Sequence, residues 1–253
     1  MANDFLGKKV FFLYPPAAIQ DEMFDALVMN GFETYALKDH ERAFRILQKF
    51  PESILFINID SVLKEPAWEK YIKRIRDLPK TQGVGLGIFS SNDNAALKEK
   101  YLNEFGIKYG FLQSKMGVKE ITKAVMRILY ADDARGRRTS IRISCESDPS
   151  AKLNYKSLSQ NMYYGKILDI SSAGFAALIP KLEEMPSNIM LKEIQLILRG
   201  AIVMVDAIFV GKREDNPNVR IFIFDTKMTP YNKLTIHRFI KQSLQRSIDQ
   251  MPI

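Results

Sequence analysis

Residues 163–179 read YYGKILDISSAGFAALI. Two apolar stretches, Tyr163–Leu168 and Phe175–Ile179, flank the hexapeptide Asp169-Ile-Ser171-Ser-Ala-Gly174, and Pro180 ends the second stretch. Small and hydroxyl-bearing residues at the centre favour a turn, so the segment predicts strand, turn, strand. The same rhythm extends on both sides. Thr139–Cys145 alternates before it, and Ile189–Leu198, Ile202–Gly211 and Val219–Phe224 follow, rich in β-branched and large apolar side chains. Asp215-Asn216-Pro217-Asn218 predicts a hairpin loop. Six strands with short connections predict a small antiparallel barrel. Thr229 and Pro230 then start a C-terminal helix, whose stripe of Ile236, Ile240, Leu244 and Ile248 predicts a helix laid on the barrel.

The first 130 residues have another period. Lys9–Tyr14, Phe32–Leu37, Ile54–Ile59, Val84–Phe89 and Lys108–Leu112 are short apolar runs. Between and after them lie helical patterns over Ala17–Asn30, His40–Phe50 (with Asp39 as N-cap), Trp68–Arg76, Ala95–Phe105 and Val118–Leu129. Strands that are apolar on both faces and alternate with helices predict a parallel sheet covered on both sides. The fold class is therefore an α/β flavodoxin-like N-terminal domain followed by a six-stranded antiparallel β-barrel with a C-terminal helix. The expected division is 1–130, a basic linker over 131–138, and the barrel over 139–253.

The composition excludes several classes. The chain has 253 residues, enough for two small domains. No apolar run approaches the roughly 20 residues of a membrane-spanning helix, and the N-terminus lacks the pattern of a signal peptide. One cysteine, Cys145, excludes an internal disulfide framework and a multi-thiolate metal site; no metal is expected, and the location expected is the cytoplasm. Cys145 itself reads as a small buried hydrophobe. Lysine and arginine exceed aspartate and glutamate by 37 − 29 = 8, a balance that suits an anionic partner. The basic residues gather at Arg135, Arg137, Arg138 and Arg142, with no acid among them.

Two short motifs carry the chemistry. Arg138-Thr-Ser-Ile-Arg142 is R-x-x-x-R, a pattern expected by chance about once in a chain this rich in arginine. Asp169-Ile-Ser171-Ser-Ala-Gly174 is D-x-S-x-x-G, expected about 0.1 times. Together, at the entry to the first strand and in the turn between the second and third, they resemble the signature of PilZ domains, the cyclic di-GMP receptors of bacteria. Gly200-Ala-Ile-Val-Met-Val and Ile221-Phe-Ile-Phe-Asp, followed by the closing helix, extend the resemblance over about residues 135–253.

That resemblance implies a cyclic di-GMP-binding set of Arg138, Arg142, Asp169, Ser171 and Gly174, with Arg137 added as a basic neighbour. The residue types suit the ligand. A guanidinium grips a phosphate or the O6/N7 edge of guanine with two parallel hydrogen bonds. Asp169 offers acceptors to guanine N1–H and N2–H2, Ser171 offers a hydroxyl, and Gly174 permits close backbone approach or a positive φ. Two plainer readings compete: Arg135–Arg142 as a solvated basic linker, and Asp169-Ile-Ser171 as a turn that caps its own backbone.

The first 130 residues resemble, by topology and length, the receiver domains of response regulators, with failed motifs. Tyr14-Pro15-Pro16 stands where receivers carry the acidic pair that holds magnesium. Asn58 and Asp60 compete for the phosphate-accepting position. Ser90 or Ser91 matches the hydroxyl after strand four, and Lys115 the lysine after strand five. Without a site for the divalent cation that phosphoryl transfer needs, the domain reads as a degenerate receiver.

The sequence therefore implies a signalling effector without catalytic residues or cofactor. Its ligand is cyclic di-GMP, which would order the interdomain linker and change the domain arrangement. Its output would be an effector protein, in motility, secretion or envelope machinery as the resemblance suggests. The alternative is a PilZ-fold scaffold that has lost nucleotide binding and docks on a partner protein or nucleic acid through its basic surface; nucleic acid is the less expected partner.

Overall fold

The computed structural model describes residues 7–136, 140–157, 159–180 and 183–253. The chain divides into two compact units, Met1–Thr139 with Leu244–Ile253, and Ser140–Ser243.

Unit 1 is a five-stranded parallel sheet with helices between its strands. The elements are β1 (Val10–Leu13), α1 (Ala17–Met29), β2 (Thr34–Leu37), α2 (His40–Lys49), β3 (Ile54–Asn58), α3 (Glu65–Asp77), β4 (Gly85–Ser90), α4 (Ala95–Glu99), β5 (Phe111–Gln113) and α5 (Val118–Ala131). The sheet order is β2-β1-β3-β4-β5, the flavodoxin-like order expected from the sequence. The strands are apolar throughout because both faces are covered. On one face Val10, Phe12, Ile54 and Phe56 pack with Ile19, Met23 and Leu27 of α1 and Ile121, Val125 and Leu129 of α5. Each such side chain contributes about 1.5–3 kcal/mol on burial. Asp39 caps α2 by accepting from the Arg42 N–H at 2.6 Å. The helix expected over Ala95–Phe105 is only partly α-helical: Lys100–Glu104 widens into a π turn.

Two devices tie the chain's end into unit 1. β2 is an edge strand, and the Gln245 amide occupies part of its open edge. Its Oε1 accepts from Ala36 N–H and its Nε2 donates to Ala36 O, both at 2.9 Å. Arg42 Nη2 donates to the carbonyls of Ile248, Asp249 and Met251 at 2.8–3.2 Å, which gives donors to carbonyls at the end of the C-terminal helix.

Unit 2 holds β6 (Arg142–Ser144), β7 (Ala151–Lys156), β8 (Met162–Ser171), β9 (Gly174–Leu178), β10 (Ile189–Leu198), β11 (Ala201–Lys212) and β12 (Val219–Phe224). β8-β7-β10-β11-β12-β9 pair in sequence and β9 returns to β8, so six strands close an antiparallel barrel. The predicted barrel is thus observed, with a different membership. The six apolar segments read from the sequence omit Ala151–Lys156 and include Thr139–Cys145. Ala151–Lys156 is a barrel strand with only Ala151, Leu153 and Tyr155 inward and two lysines outward. From the other segment only Arg142–Ser144 is a described strand, and it pairs with β8 alone. Inside, Phe175 stacks on Phe222 at a centroid distance of 4.8 Å, and Phe209 is tilted against Phe222 at 5.8 Å. The β10–β11 hairpin turns through Arg199 and Gly200, both at positive φ, where glycine carries no Cβ penalty.

Helix α6 (Pro230–Asp249) begins as expected, with Thr229 Oγ1 accepting from Asn232 N–H at 3.2 Å. Its apolar stripe is buried, but it is not laid wholly on the barrel: Ile236 and Ile240 belong to unit 2, and Leu244 and Ile248 to unit 1.

Candidate functional site

The site begins with an irregularity in β8. Its pairing with β9 shifts register between Ile167 and Asp169. The bulge interrupts the in–out alternation: Ile167 and Ile170 are buried, while Leu168 and Asp169 between them are both partly exposed. Asp169 is thereby turned to the outer face of the barrel. On the neighbouring strand, Arg142 lies opposite Ser171 and Ser144 opposite Asp169, and residues directly opposite share a face. Arg142 and Asp169 are diagonal neighbours, with Arg142 Nε 3.6 Å from Asp169 Oδ1 and the two side chains 56% and 22% exposed. An ion pair with one partner this open is worth at most about 1 kcal/mol, so the Arg142 side can exchange it for a ligand at little cost.

Ser171 and Gly174 form the turn. Ser171 Oγ accepts from Ala173 N–H at 3.2 Å and donates to Gly174 O at 3.3 Å. A turn that caps its own backbone, the plainer reading of this motif, is therefore built through the Ser171 hydroxyl. Gly174 meets the close-approach expectation and not the positive-φ one. A Cβ there would lie 2.1 Å from Phe222 O and 3.0 Å from Ile223 Cα, and Gly174 is absent from the positive-φ glycines among the described residues.

Arg142, Asp169, Ser171 and Gly174 line one cavity of about 520 Å³, within the usual range for small-ligand sites. Arg137 and Arg138 lie outside the described residues. The cavity also includes residues that the motifs do not contain. Ala176, Val210, Ile221 and Ile223 give it an apolar floor, and Arg213 lines it as well. Ile221 and Ile223 stand at alternate positions of an apolar strand, and nothing local in the sequence says which side of the wall they take.

No protein-family model matches the chain, and no curated protein matches it. Among solved structures it is similar to the PilZ domain with c-di-GMP of YcgR from Escherichia coli. Identity is 20%, over 46% of this chain and 99% of that one, with a TM-score of 0.37. It is similar to YcgR in complex with c-di-GMP at 22% identity and TM-score 0.38, covering 46% of this chain and 49% of that one, about half its length. It is also similar to the chemotaxis response regulator CheY4 of Vibrio cholerae, at 15% identity over 48% of this chain and 98% of that one, with a TM-score of 0.41. Its structural neighbours are PilZ domains and response-regulator receivers.

Unit 1 carries a polar cluster at the ends of β3 and β4. Asn58, an amide, is the last residue of β3 and is buried. Its Nδ2 donates to Tyr14 O at 2.9 Å and its Oδ1 accepts from Asp60 N–H at 3.2 Å. Asp60 lies beyond the strand, where it accepts from the Ser90 hydroxyl at 2.7 Å and from the Ser91 N–H. Ser90 ends β4, and Lys115 follows β5 as an exposed side chain. Tyr14, at φ 53°, occupies the end of β1 with Pro15 and Pro16 after it, so no carboxylate stands there. Among the described residues no group of three or more His, Cys, Asp or Glu is placed to hold a metal. Acetyl phosphate with magnesium is expected to leave the protein's mass unchanged. A phosphorylated species that disappears in Asp60→Asn would show instead that Asp60 accepts phosphate.

In the PilZ-like unit Cys145 is buried, as expected, and burial, with Asp148 and Asp169 nearby, pushes its thiol up to about 12. Its thiolate is scarce at neutral pH, which removes it as a nucleophile. Among the described residues no helix is long and apolar enough to cross a membrane.

Proposed function

We propose that the protein is a cyclic di-GMP receptor that binds the nucleotide without turning it over. The observation that carries this reading is the convergence of Arg142, Asp169, Ser171 and Gly174 on one open cavity with an apolar floor. The first two come from separate motifs, and β6 pairing with a bulged β8 brings them together. The chemistry of the cavity fits the ligand's parts. The Arg142 guanidinium takes a phosphate or the guanine O6/N7 edge, and the Asp169 carboxylate takes guanine N1–H and N2–H2. The floor of Ala176, Ile221 and Ile223 takes a purine face. Arg138, four residues before Arg142, supplies the second guanidinium. Binding without turnover is the chemistry assigned to this wall: the Asp169 carboxylate goes to guanine donors, and the Ser171 hydroxyl is held in its own turn by Ala173 N–H and Gly174 O.

The signal passes through the segment that holds Arg135, Arg137 and Arg138. Ligand gripped by Arg138 and Arg142 fixes that segment and with it the arrangement of the two units. The equilibrium shifts by the difference in affinity between the ordered and unordered states. A second protein in the bacterial cytoplasm then reads the new arrangement, in motility, secretion or envelope machinery.

Competition tests the reading. Labelled cyclic di-GMP bound at micromolar affinity or better should be displaced by unlabelled cyclic di-GMP and poorly by GTP, GMP or cyclic di-AMP. Equal displacement by cyclic di-AMP would remove the guanine-reading role of Asp169.

A further inference from the structure

The motif residues account for one side of the cavity. Around the outer wall the strands run β6-β8-β9-β12-β11, and Arg142, Asp169, Ser171 and Gly174 all lie on the first three. The other side is built by β12 and the end of β11. Its lining side chains are Ile221, Ile223, Val210 and Arg213. Four strand spacings separate β6 from β11, about 19 Å along the curved wall, yet Arg142 and Arg213 line the same cavity.

Two local features point this second side outward. The β11–β12 register shifts between Phe209 and Gly211, a bulge at Val210. Val210 and Ile223 are left 37% and 49% exposed, an apolar surface that a flat ring can cover. Arg213 follows β11 directly, with its backbone N–H donating to Val219 O at 3.0 Å, so its Cα is fixed by the hairpin. Its side chain pairs only locally among the described contacts: Nε donates to Asp215 Oδ1 at 3.1 Å and Nη2 to Asp215 Oδ2 at 3.4 Å. Asp215 is 69% exposed and two residues away, and such a pair holds its arginine weakly.

We infer that Arg213, above Val210, Ile221 and Ile223, forms a second half-site that contacts the ligand's acceptor-rich groups, phosphate oxygens or a guanine O6/N7 edge. The inference rests on the cyclic di-GMP reading and deepens it. A cyclic dinucleotide presents each of its groups twice, and a wall with one arginine–aspartate set meets only one copy. Beyond Arg138 and Arg142 on the motif side, Arg213 gives the opposite side of the wall its own guanidinium, over the Val210 end of the apolar floor. On binding it exchanges Asp215 for the ligand.

The test is calorimetric titration of the full chain with cyclic di-GMP, for wild type, Arg213→Ala, Arg213→Lys and Asp215→Ala. Arg213→Ala is expected to weaken binding about tenfold and to flatten its dependence on salt. Arg213→Lys should recover part of the loss and keep the salt dependence. Asp215→Ala, which removes the competing carboxylate, should bind as tightly as wild type or more tightly. Melting without ligand should be the same for all four. If Arg213→Ala and Arg213→Lys bind within twofold of wild type while Arg142→Ala does not, the second half-site is refuted and the cyclic di-GMP reading stands. If Asp215→Ala weakens binding as much as Arg213→Ala, the pair acts by holding the hairpin and the inference is likewise wrong. If the wild type fails to bind, both fall together.

Discussion

Arg142→Ala is expected to weaken cyclic di-GMP binding by about 10- to 150-fold, the value of a charge-assisted, bidentate arginine contact of about 1.5–3 kcal/mol. Without ligand its melting temperature should match the wild type. The two expectations have one cause. Arg142 lies on a three-residue strand, its side chain is 56% exposed, and its described ion-pair partner is Asp169 at 3.6 Å. Removing it takes little from the folded state and takes the described cation from that side of the cavity. Arg138→Ala should lose binding to a similar extent. Lysine at either position should recover only part of the loss, because it keeps the charge without the planar fork. Arg135→Ala should cost less, with an effect that fades in salt. Binding isotherms with parallel melts check the series. Arg142→Ala and Arg138→Ala variants that bind like the wild type would place the ligand elsewhere and favour a docking scaffold.

Gly174→Ala should behave in the opposite way, losing the fold first. The added Cβ would sit 2.1 Å from Phe222 O and 3.0 Å from Ile223 Cα, both backbone atoms of the neighbouring barrel strand. A side chain could rotate away, but a strand backbone cannot without breaking the β9–β12 ladder. Overpacking of this kind costs about 1–3 kcal/mol and at times more. For a unit of this size that is a fall of about 5–15 °C in the barrel's melting. Thermal unfolding followed by near-ultraviolet circular dichroism reads it. An unchanged melt would show that β9 and β12 can separate, and the motif glycine would then have to act on the ligand directly.

The contrast between these residues shows what the sequence could and could not disclose. β1, β3 and β4 were legible because a strand buried on both faces must be apolar throughout, and Asp39 and Thr229 were legible as caps because capping is local chemistry. β7 was not. Its inward set is only Ala151, Leu153 and Tyr155, and its place in the ring depends on β8 and β10, both distant in sequence. That Arg142, Asp169, Ser171 and Gly174 stand near one another was legible, since residue type and spacing survive in one dimension. The floor of the cavity was hidden for the converse reason. Ile221, Ile223 and Val210 look like core residues, and only barrel closure and two bulges determine that they line the outer wall. Arg213 was hidden too, because its neighbour in sequence, Asp215, makes it look like half of a surface ion pair. The helix stripe of α6 was read correctly as a buried face, but a stripe does not name what buries it.

Calorimetric titration of the purified full chain with cyclic di-GMP decides whether the protein is a receptor for that nucleotide. Saturable binding is expected at micromolar affinity or better, with at least a tenfold preference over cyclic di-AMP and no release of linear pGpG or GMP on prolonged incubation. Absence of heat at high micromolar ligand, confirmed by equilibrium dialysis, would contradict it and leave the arginines and Asp169 as a surface for docking another macromolecule.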